Sequence, residues 1–183
     1  MAPSDLSPRT SQKILCGIDG SERSAKAAGV AVELTRKLGG ELTFAMVNPR
    51  LAARAAILYL WPDAHIAGVL EQAVRKALWR GVASVKSDTW RAESASDALA
   101  DYADRNEFDY IVIGAGDRSG WPGFLKDSMF KDSVALELPA KAHCPVLIVN
   151  HLRDDPPTRR SGGLRSLFDV QPILPQRLPV RSR

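Results

Sequence analysis

The amino-acid sequence predicts a single α/β domain in which helices cover both faces of a mostly parallel, doubly wound sheet. Short runs rich in Ile, Val and Leu lack polar alternation, which is typical of strands buried on both faces. Stretches with apolar residues at helical spacing lie between these runs. Such an alternation of strands and helices implies right-handed crossovers in one sheet.

Five segments are predicted to be strands. Four are apolar runs, and the weaker one at 83–91 precedes a helical pattern. In chain order they are 13–18 (KILCGI), 41–47 (ELTFAMV), 83–91, 110–114 (YIVIG) and 145–150 (PVLIVN).

Helix signals separate these strands. Ser21 can cap a first helix, and Gly39-Gly40 can end it in the left-handed conformation. Pro62 opens a second helix, and Ser94 begins a capping box ahead of a third. The apolar stripes of these three helices lie within 21–38, 66–78 and 96–105.

Two segments are less regular. The apolar stretch 51–61 follows the second strand, and its default interpretation is a short helix packed on the core. A lid or a dimer contact is the alternative for this stretch. Pro139 falls within the expected last helix and predicts a kink or an end near Leu138.

The charge of the chain is concentrated at one end. All of the net charge of +4 lies in 151–183, which holds seven arginines against three aspartates, so 1–150 is neutral. A basic nucleic-acid-binding face on the folded body is therefore not expected. We expect a disordered N-terminal arm at 1–11, a domain at 12–150, and a Pro/Arg-rich tail at 151–183 that is disordered or loosely docked.

Several classes of protein are not supported by the sequence. Cys16 and Cys144 give neither a disulfide framework nor a metal-ligand spacing, and the three histidines do not cluster. Ser21 has no plausible histidine partner for a catalytic triad. There is no signal-peptide pattern or long apolar span, so a soluble, cytoplasmic protein without membrane contacts is expected.

The candidate ligand site lies where two strands end. Doubly wound sheets bind ligands outside the carboxyl ends of strands, at the point where strand order reverses. If the order is 3-2-1-4-5, that point lies between Gly17-Ile18-Asp19 and Gly114. A glycine-rich segment, GAGDRSGWPGFLKDSMFKDS (114–133), follows there, although neither GxGxxG nor GxxxxGK[ST] occurs in it.

Three stretches resemble the universal stress protein family: KILCGIDGSERSAKAAGVAVEL (13–34), DYIVIGAGDRSG (109–120) and AHCPVLIV (142–149). In this order, the three stretches look like the family's first strand and helix, its fourth strand and loop, and its closing strand. The resemblance covers about 12–150. It implies the order 3-2-1-4-5 and a homodimer formed through the last strand, Pro145 to Asn150.

The ATP-binding branch of that family carries G-x2-G-x9-G-[ST] after strand 4, and this chain departs from it. Asp117 stands at the second glycine, and either Asp127 or Asp132 at the third, because the loop allows two registers. A carboxylate there would repel a triphosphate by up to roughly 4 kcal/mol at 4 Å and an effective dielectric near 20. As a helix N-cap, an aspartate would also occupy the N–H groups that a phosphate needs.

By resemblance, the base and ribose of a nucleotide would contact the end of strand 1 near Asp19 and the end of strand 2 near Val47. The candidate cofactor-binding residues are those of the two strand ends, Val47 and the loop. They are Gly17, Ile18, Asp19, Val47, Ile113, Gly114, Gly116, Arg118, Ser133 and Val134.

The resemblance therefore favours a stress-response or regulatory protein that acts as a dimer on a protein partner, with no cofactor. The alternative is an adenine-nucleotide-binding member that takes ATP or AMP with Mg²⁺ and hydrolyses ATP slowly. A third hypothesis, another enzyme on this fold such as a nucleotide-dependent ligase, lacks a recognisable catalytic constellation.

Overall fold

The structure, a computed structural model, describes residues 11–53, 56–115 and 134–150, and the side chains of 51–58 are outside this description. The predicted arm, except Ser11, and the tail also lie outside it. The strands are β1 (Lys13–Gly17), β2 (Glu41–Ala53), β3 (Ala56–Tyr59), β4 (Ser84–Ala92), β5 (Tyr110–Gly114) and β6 (Val146–Val149). The helices are α1 (Glu22–Leu38), α2 (Asp63–Trp79), α3 (Ala95–Arg105) and α4 (Val134–Lys141).

Five strands form a parallel sheet in the order β4-β2-β1-β5-β6. In the numbering of the five predicted strands this order is 3-2-1-4-5, so the predicted fold is confirmed. β1 is the central strand, and its Ile14 pairs with Leu42 of β2 and with Tyr110 of β5. The order reverses between β1 and β5, which places the switch point between these two strands.

The prediction of a short helix in the stretch 51–61 is wrong. β2 continues to Ala53, and β3 pairs with it antiparallel, with Arg50 opposite Tyr59. The strand is extended because its neighbour β4 pairs with it as far as Pro49 and Ala92. The hydrogen-bonding groups of the β2 backbone beyond that point are then taken up by β3.

The helix ends follow the predicted capping signals. The hydroxyl of Ser21 accepts a hydrogen bond from the N–H of Ser24 at 3.1 Å. Gly39 takes the left-handed conformation, with φ of 67°, at the end of α1. Ser94 accepts from the N–H of Asp97 at 3.2 Å and so caps α3. These three helix ends are therefore set by local chemistry, since each cap satisfies backbone groups that the helix leaves open.

Of the two alternatives predicted for the last helix, an end near Leu138 is wrong, and a kink there stays a prediction. α4 runs through Pro139 to Lys141, and the N–H of Ala142 donates to the carbonyl of Leu138 at 2.9 Å. Leu138 is fully buried, whereas Pro139 is exposed. Because Leu138 is packed into the core and Lys141 is tied to α3 by an ion pair with Asp97, tertiary contacts hold the last turn in place.

The core lies in two layers, one on each face of the sheet. Ile14 and Cys16 of β1 pack with residues of α1 and α2, and Leu15 packs with residues of α3 and α4. Alternate residues of a strand point to opposite faces, so a strand covered on both sides is apolar throughout. None of the described helices is long and apolar enough to cross a membrane.

Two glycines with open surroundings give a matched test of the helix assignments. Gly68 lies inside α2, Gly81 has a φ of +86°, and a Cβ on either glycine would meet no atom within 4 Å. We expect Gly68→Ala to raise the free energy of unfolding by about 0.5–1 kcal/mol, because alanine loses less conformational entropy in a helix.

Gly81→Ala is the control, and we expect it to lower that free energy because its backbone conformation is strained for alanine. Urea unfolding followed by far-UV circular dichroism measures both variants. Stabilisation by Gly81→Ala, or destabilisation by Gly68→Ala, would contradict the assignment.

Candidate functional site

The carboxyl ends of β1 and β5 meet at the switch point, as the sequence predicts. Gly17 pairs with Ile113, and the N–H of Ile18 donates to the carbonyl of Ala45 in β2 at 2.8 Å. The side chains of Ile18 and Ile113 are buried in the two core layers. These residues can therefore offer a ligand little beyond their backbone groups.

Asp19 stands exposed just past the end of β1. Its Oδ1 accepts a hydrogen bond from the N–H of Ser21 at 2.9 Å, across Gly20 with its φ of +80°. The hydroxyl of Ser24 donates to the carbonyl of Ser21 at 2.9 Å, besides the bond that Ser21 accepts as the helix cap. Two N–H groups at the start of α1, a position that favours anions, are thus bonded to side chains of the protein itself.

Gly114, the first glycine of the predicted motif, packs directly against the first turn of α1. A Cβ at this position would stand 2.8 Å from the backbone carbon and oxygen of Arg23 and 3.0 Å from the nitrogen of Ser24. The guanidinium of Arg23 also donates to the carbonyl of Ala115 at 3.0 Å. The packing of strand on helix thus requires glycine at this position whether or not a ligand binds.

Val47 is not at the end of its strand, because β2 runs on for six more residues to Ala53. The expectation that strand 2 ends near Val47 is therefore wrong. The residue does lie beyond the last β1–β2 pair, Gly17 with Ala45, and it is paired with Trp90 of β4. Its side chain packs against the same core layer as Val134 at the start of α4.

The remaining predicted contacts are in the loop. Gly116, Arg118 and Ser133 lie outside the described residues, and so do the three aspartates predicted at motif glycine positions in one register or the other, Asp117, Asp127 and Asp132. The choice between the two loop registers therefore remains a prediction from the sequence.

Asn48 is a buried polar residue near the site whose role the sequence did not reveal. It is buried, its amide donates to the carbonyl of Trp61 at 2.8 Å, and its oxygen accepts from the N–H of Trp61 at 3.0 Å. The ring of Trp61 stacks on His65 at 5.0 Å. A Cβ on Gly20 would be 3.6 Å from Nε2 of His65, so the start of α2 flanks the turn after β1. A polar Asn at the end of an apolar run was the available signal.

A polar cluster joins α4, which follows the loop, to α3. The ammonium of Lys141 lies 2.6 Å from Asp97 Oδ1 and 2.8 Å from Glu137 Oε2. It also donates to the hydroxyl of Ser96 at 2.9 Å, and Ser96 donates to Glu137 at 2.7 Å.

The charges in this cluster are paired. The hydrogen bonds that Lys141 donates to Asp97 and Glu137 raise the pKa of this lysine, so it stays a cation and cannot serve as a base. The hydrogen bond from Lys141 in turn holds the pKa of Asp97 below its ordinary value. The cluster therefore fixes α4 against α3, and we assign it no catalytic role. Among the described residues, no group of acidic, His and Cys side chains is arranged to hold a metal ion.

Comparisons with known proteins agree with this architecture. The family model for the universal stress protein family matches residues 10–150. The solved structure of universal stress protein UspA from Lactobacillus plantarum is 20% identical, with a TM-score of 0.61, over 75% of this chain and 97% of that chain. The search of curated proteins finds no significant match.

Two further similar structures contain nucleotides. A universal stress protein in complex with cAMP is 24% identical, with a TM-score of 0.58, over 76% of this chain and 97% of that chain. A universal stress protein from Archaeoglobus fulgidus in complex with dAMP is 21% identical, with a TM-score of 0.53, over the same shares. At identities below 25%, the similarity of this chain to these structures shows the fold alone.

The contact between Gly114 and α1 can be tested by adding a single methyl group. We expect Gly114→Ala to lower the free energy of unfolding by about 1–3 kcal/mol, because the added carbon meets backbone atoms that cannot turn away. Gly17→Ala is the control, since its Cβ would meet only the side chains of Ile113 and Leu99, at 3.1 and 3.2 Å. In urea unfolding, Gly17→Ala should lower the free energy of unfolding by less than Gly114→Ala does. An equal or smaller decrease for Gly114→Ala would contradict the packing of Gly114 against α1.

Proposed function

Because this chain belongs to the universal stress protein family, we propose that it is a stress-response regulatory protein that acts as a homodimer and does not bind ATP through its glycine-rich loop. The proposal has two parts, concerning the nucleotide and the dimer, and different features of the chain support them.

The aspartates of the loop carry the first part, and the hydrogen bonds at the start of α1, beside the first residue of that loop, support it. A phosphate at this helix end would have to displace the carboxylate of Asp19 from the N–H of Ser21, or the hydroxyl of Ser21 from the N–H of Ser24. The bond from the N–H of Ser21 to the carboxylate of Asp19 is of the kind worth about 1.5–3 kcal/mol, and a bond to the phosphate would have to replace it before binding gained anything at this position. The sequence adds Asp117 and a second aspartate at motif positions where the ATP-binding branch has glycine.

The open edge of the sheet supports the dimer. Within the described part of the chain, β6 pairs only with β5, and its Leu147 is 42% exposed. An exposed apolar side chain on an unpaired strand edge is a favourable surface for a second chain. We therefore place the dimer contact at Pro145 to Asn150.

Binding of an adenine nucleotide is the second candidate function. It is favoured by the similar structures that contain cAMP and dAMP, which are other proteins. Asp19, exposed at the switch point, is the side chain best placed to contact a ribose. On this alternative, Val47, Gly114, Gly116 and Ser133 would complete the site for ATP or AMP with Mg²⁺, with slow ATP hydrolysis as a further step.

Titration calorimetry with ATP and with AMP, both in the presence of Mg²⁺, separates the two candidates. We expect no binding by the parent protein and a gain of binding when Asp117, Asp127 and Asp132 are all replaced by glycine, because this change removes like charge from the loop. The control is a second triple variant in the tail, Asp154→Gly, Asp155→Gly and Asp169→Gly. It changes the net charge equally, and it should not gain binding. Micromolar binding by the parent would contradict the proposal and favour the nucleotide-binding candidate.

A lysine on the edge strand tests the dimer. We expect Leu147→Lys to raise the dissociation constant of the dimer at least about tenfold, since a two-fold axis places both copies of the residue in one interface. Sedimentation equilibrium measures the constant. Leu78→Lys, which is 51% exposed at the end of α2, is the control and should leave it unchanged. A monomeric parent, or the same shift in both variants, would contradict this interface.

A further inference from the structure

An open groove of about 510 Å³ lies between α2 and β4, away from the switch point. This volume is within the range of about 300–1,000 Å³ typical of ligand-binding clefts. We refer to it as the α2–β4 groove. Its lining residues are Asp63, Ile66, Ala67, Leu70, Glu71, Val74, Ser87, Asp88 and Thr89.

The groove combines an apolar floor with an acidic rim. Residues from successive turns of α2 supply the apolar part, and Ile66 and Leu70 are themselves buried. Asp63, Glu71 and Asp88 supply three carboxylates, and no lysine or arginine is among the lining residues. A ligand that carries both apolar and cationic groups fits this surface better than an anion does.

The carboxylates of the rim remain accessible to a cationic ligand. Asp63 pairs with Arg91 at 3.1 Å, and Glu71 lies 3.7 Å from Arg75. Both pairs are exposed to solvent, and pairs of this kind contribute about 0–1 kcal/mol. Asp88 accepts from the N–H of Thr89 at 2.8 Å and also forms a hydrogen bond with the side chain of Tyr102 in α3, but it makes no ion pair with any residue in the described ranges.

The groove also borders an open edge of the sheet. β4 pairs only with β2 among the described strands, and its central residues, Lys86 to Thr89, are exposed. A chain segment laid along α2 therefore meets no neighbouring strand on the outer side of β4.

We propose that the C-terminal tail of this same chain occupies the α2–β4 groove through its segment Leu164–Phe168, LRSLF. This segment combines three apolar side chains, Leu164, Leu167 and Phe168, with Arg165, and Arg159-Arg160 precede it. The tail carries seven arginines and three aspartates, whereas residues 1–150 are neutral, so the charge of the tail complements the acidic rim.

The connecting chain is long enough. β6, which precedes the tail, and β4 are at opposite edges of the five parallel strands, so four strand spacings of about 4.8 Å, or about 19 Å, separate them. The residues from Asn150 to Leu164 can extend to about 46 Å. The tail can therefore reach the groove of its own chain and continue along part of α2.

Limited trypsin digestion of the full chain tests this docking. The quantity measured by mass spectrometry is the cleavage rate at Arg165–Ser166, divided by the rate at Arg181–Ser182 near the end of the same tail. We expect the ratio to rise about tenfold when Glu71→Gln and Asp88→Asn remove two of the three rim carboxylates, a change that corresponds to about 1.4 kcal/mol of docking free energy. Neither substitution adds or removes a trypsin site.

Three further double variants make the test specific. Asp101→Asn with Asp104→Asn removes two exposed charges from α3 and should leave the ratio unchanged. Leu167→Ser with Phe168→Ser should raise the ratio as the rim variant does, whereas Ile173→Ser with Leu174→Ser in the same tail should not.

Two results would overturn the proposal. The first is an equal ratio in the parent and the rim variant. The second is protection of Arg165 that increases with protein concentration, because the occupant would then be the tail of a second copy. Protection that is independent of concentration and is lost in the rim variant supports docking within one chain.

Discussion

The close approach of β5 to the first turn of α1 is the constraint on which the switch point depends. β1 lies between β2 and β5, so the position of α1 over β1 also sets its distance from β5. Gly114 allows the backbones to meet, and Arg23 holds the chain beyond it through the carbonyl of Ala115. The loop after β5 therefore starts from a fixed point, with the start of α1 beside it.

This arrangement separates what the fold requires from what a ligand would require. Glycine at position 114 is needed for packing, and Asp19 and Ser21 act as caps of the turn and the helix. The same residue types would also occur in a nucleotide site, so their presence does not distinguish the two roles. Function on a widely used fold is decided by the details of the site, and here these are the hydrogen bonds at the start of α1 and the aspartates of the loop.

The parts of the fold that depend on local chemistry could be predicted from the sequence. The caps at Ser21, Gly39 and Ser94 satisfy helix ends from within a few residues, and the strand runs are apolar because both faces are covered. The hairpin of β2 and β3 could not be predicted, because it depends on pairing between strands. At the site, the positions of Gly17 and Asp19 followed from topology, whereas the contacts of Arg23 and Asn48 join segments that only the tertiary fold brings together.

The pair of hydrogen bonds between Asn48 and the backbone of Trp61 has a consequence for how the protein can vary. These bonds close a loop between residues 13 apart in sequence, and the β2–β3 hairpin lies inside it. Because the base of the loop is tied, the entry into α2 does not depend on the length of the hairpin. The cost of closing a loop grows only slowly with its length. Insertions, deletions or a grafted peptide between these two residues should therefore be tolerated, which makes the hairpin the natural place for an engineered tag.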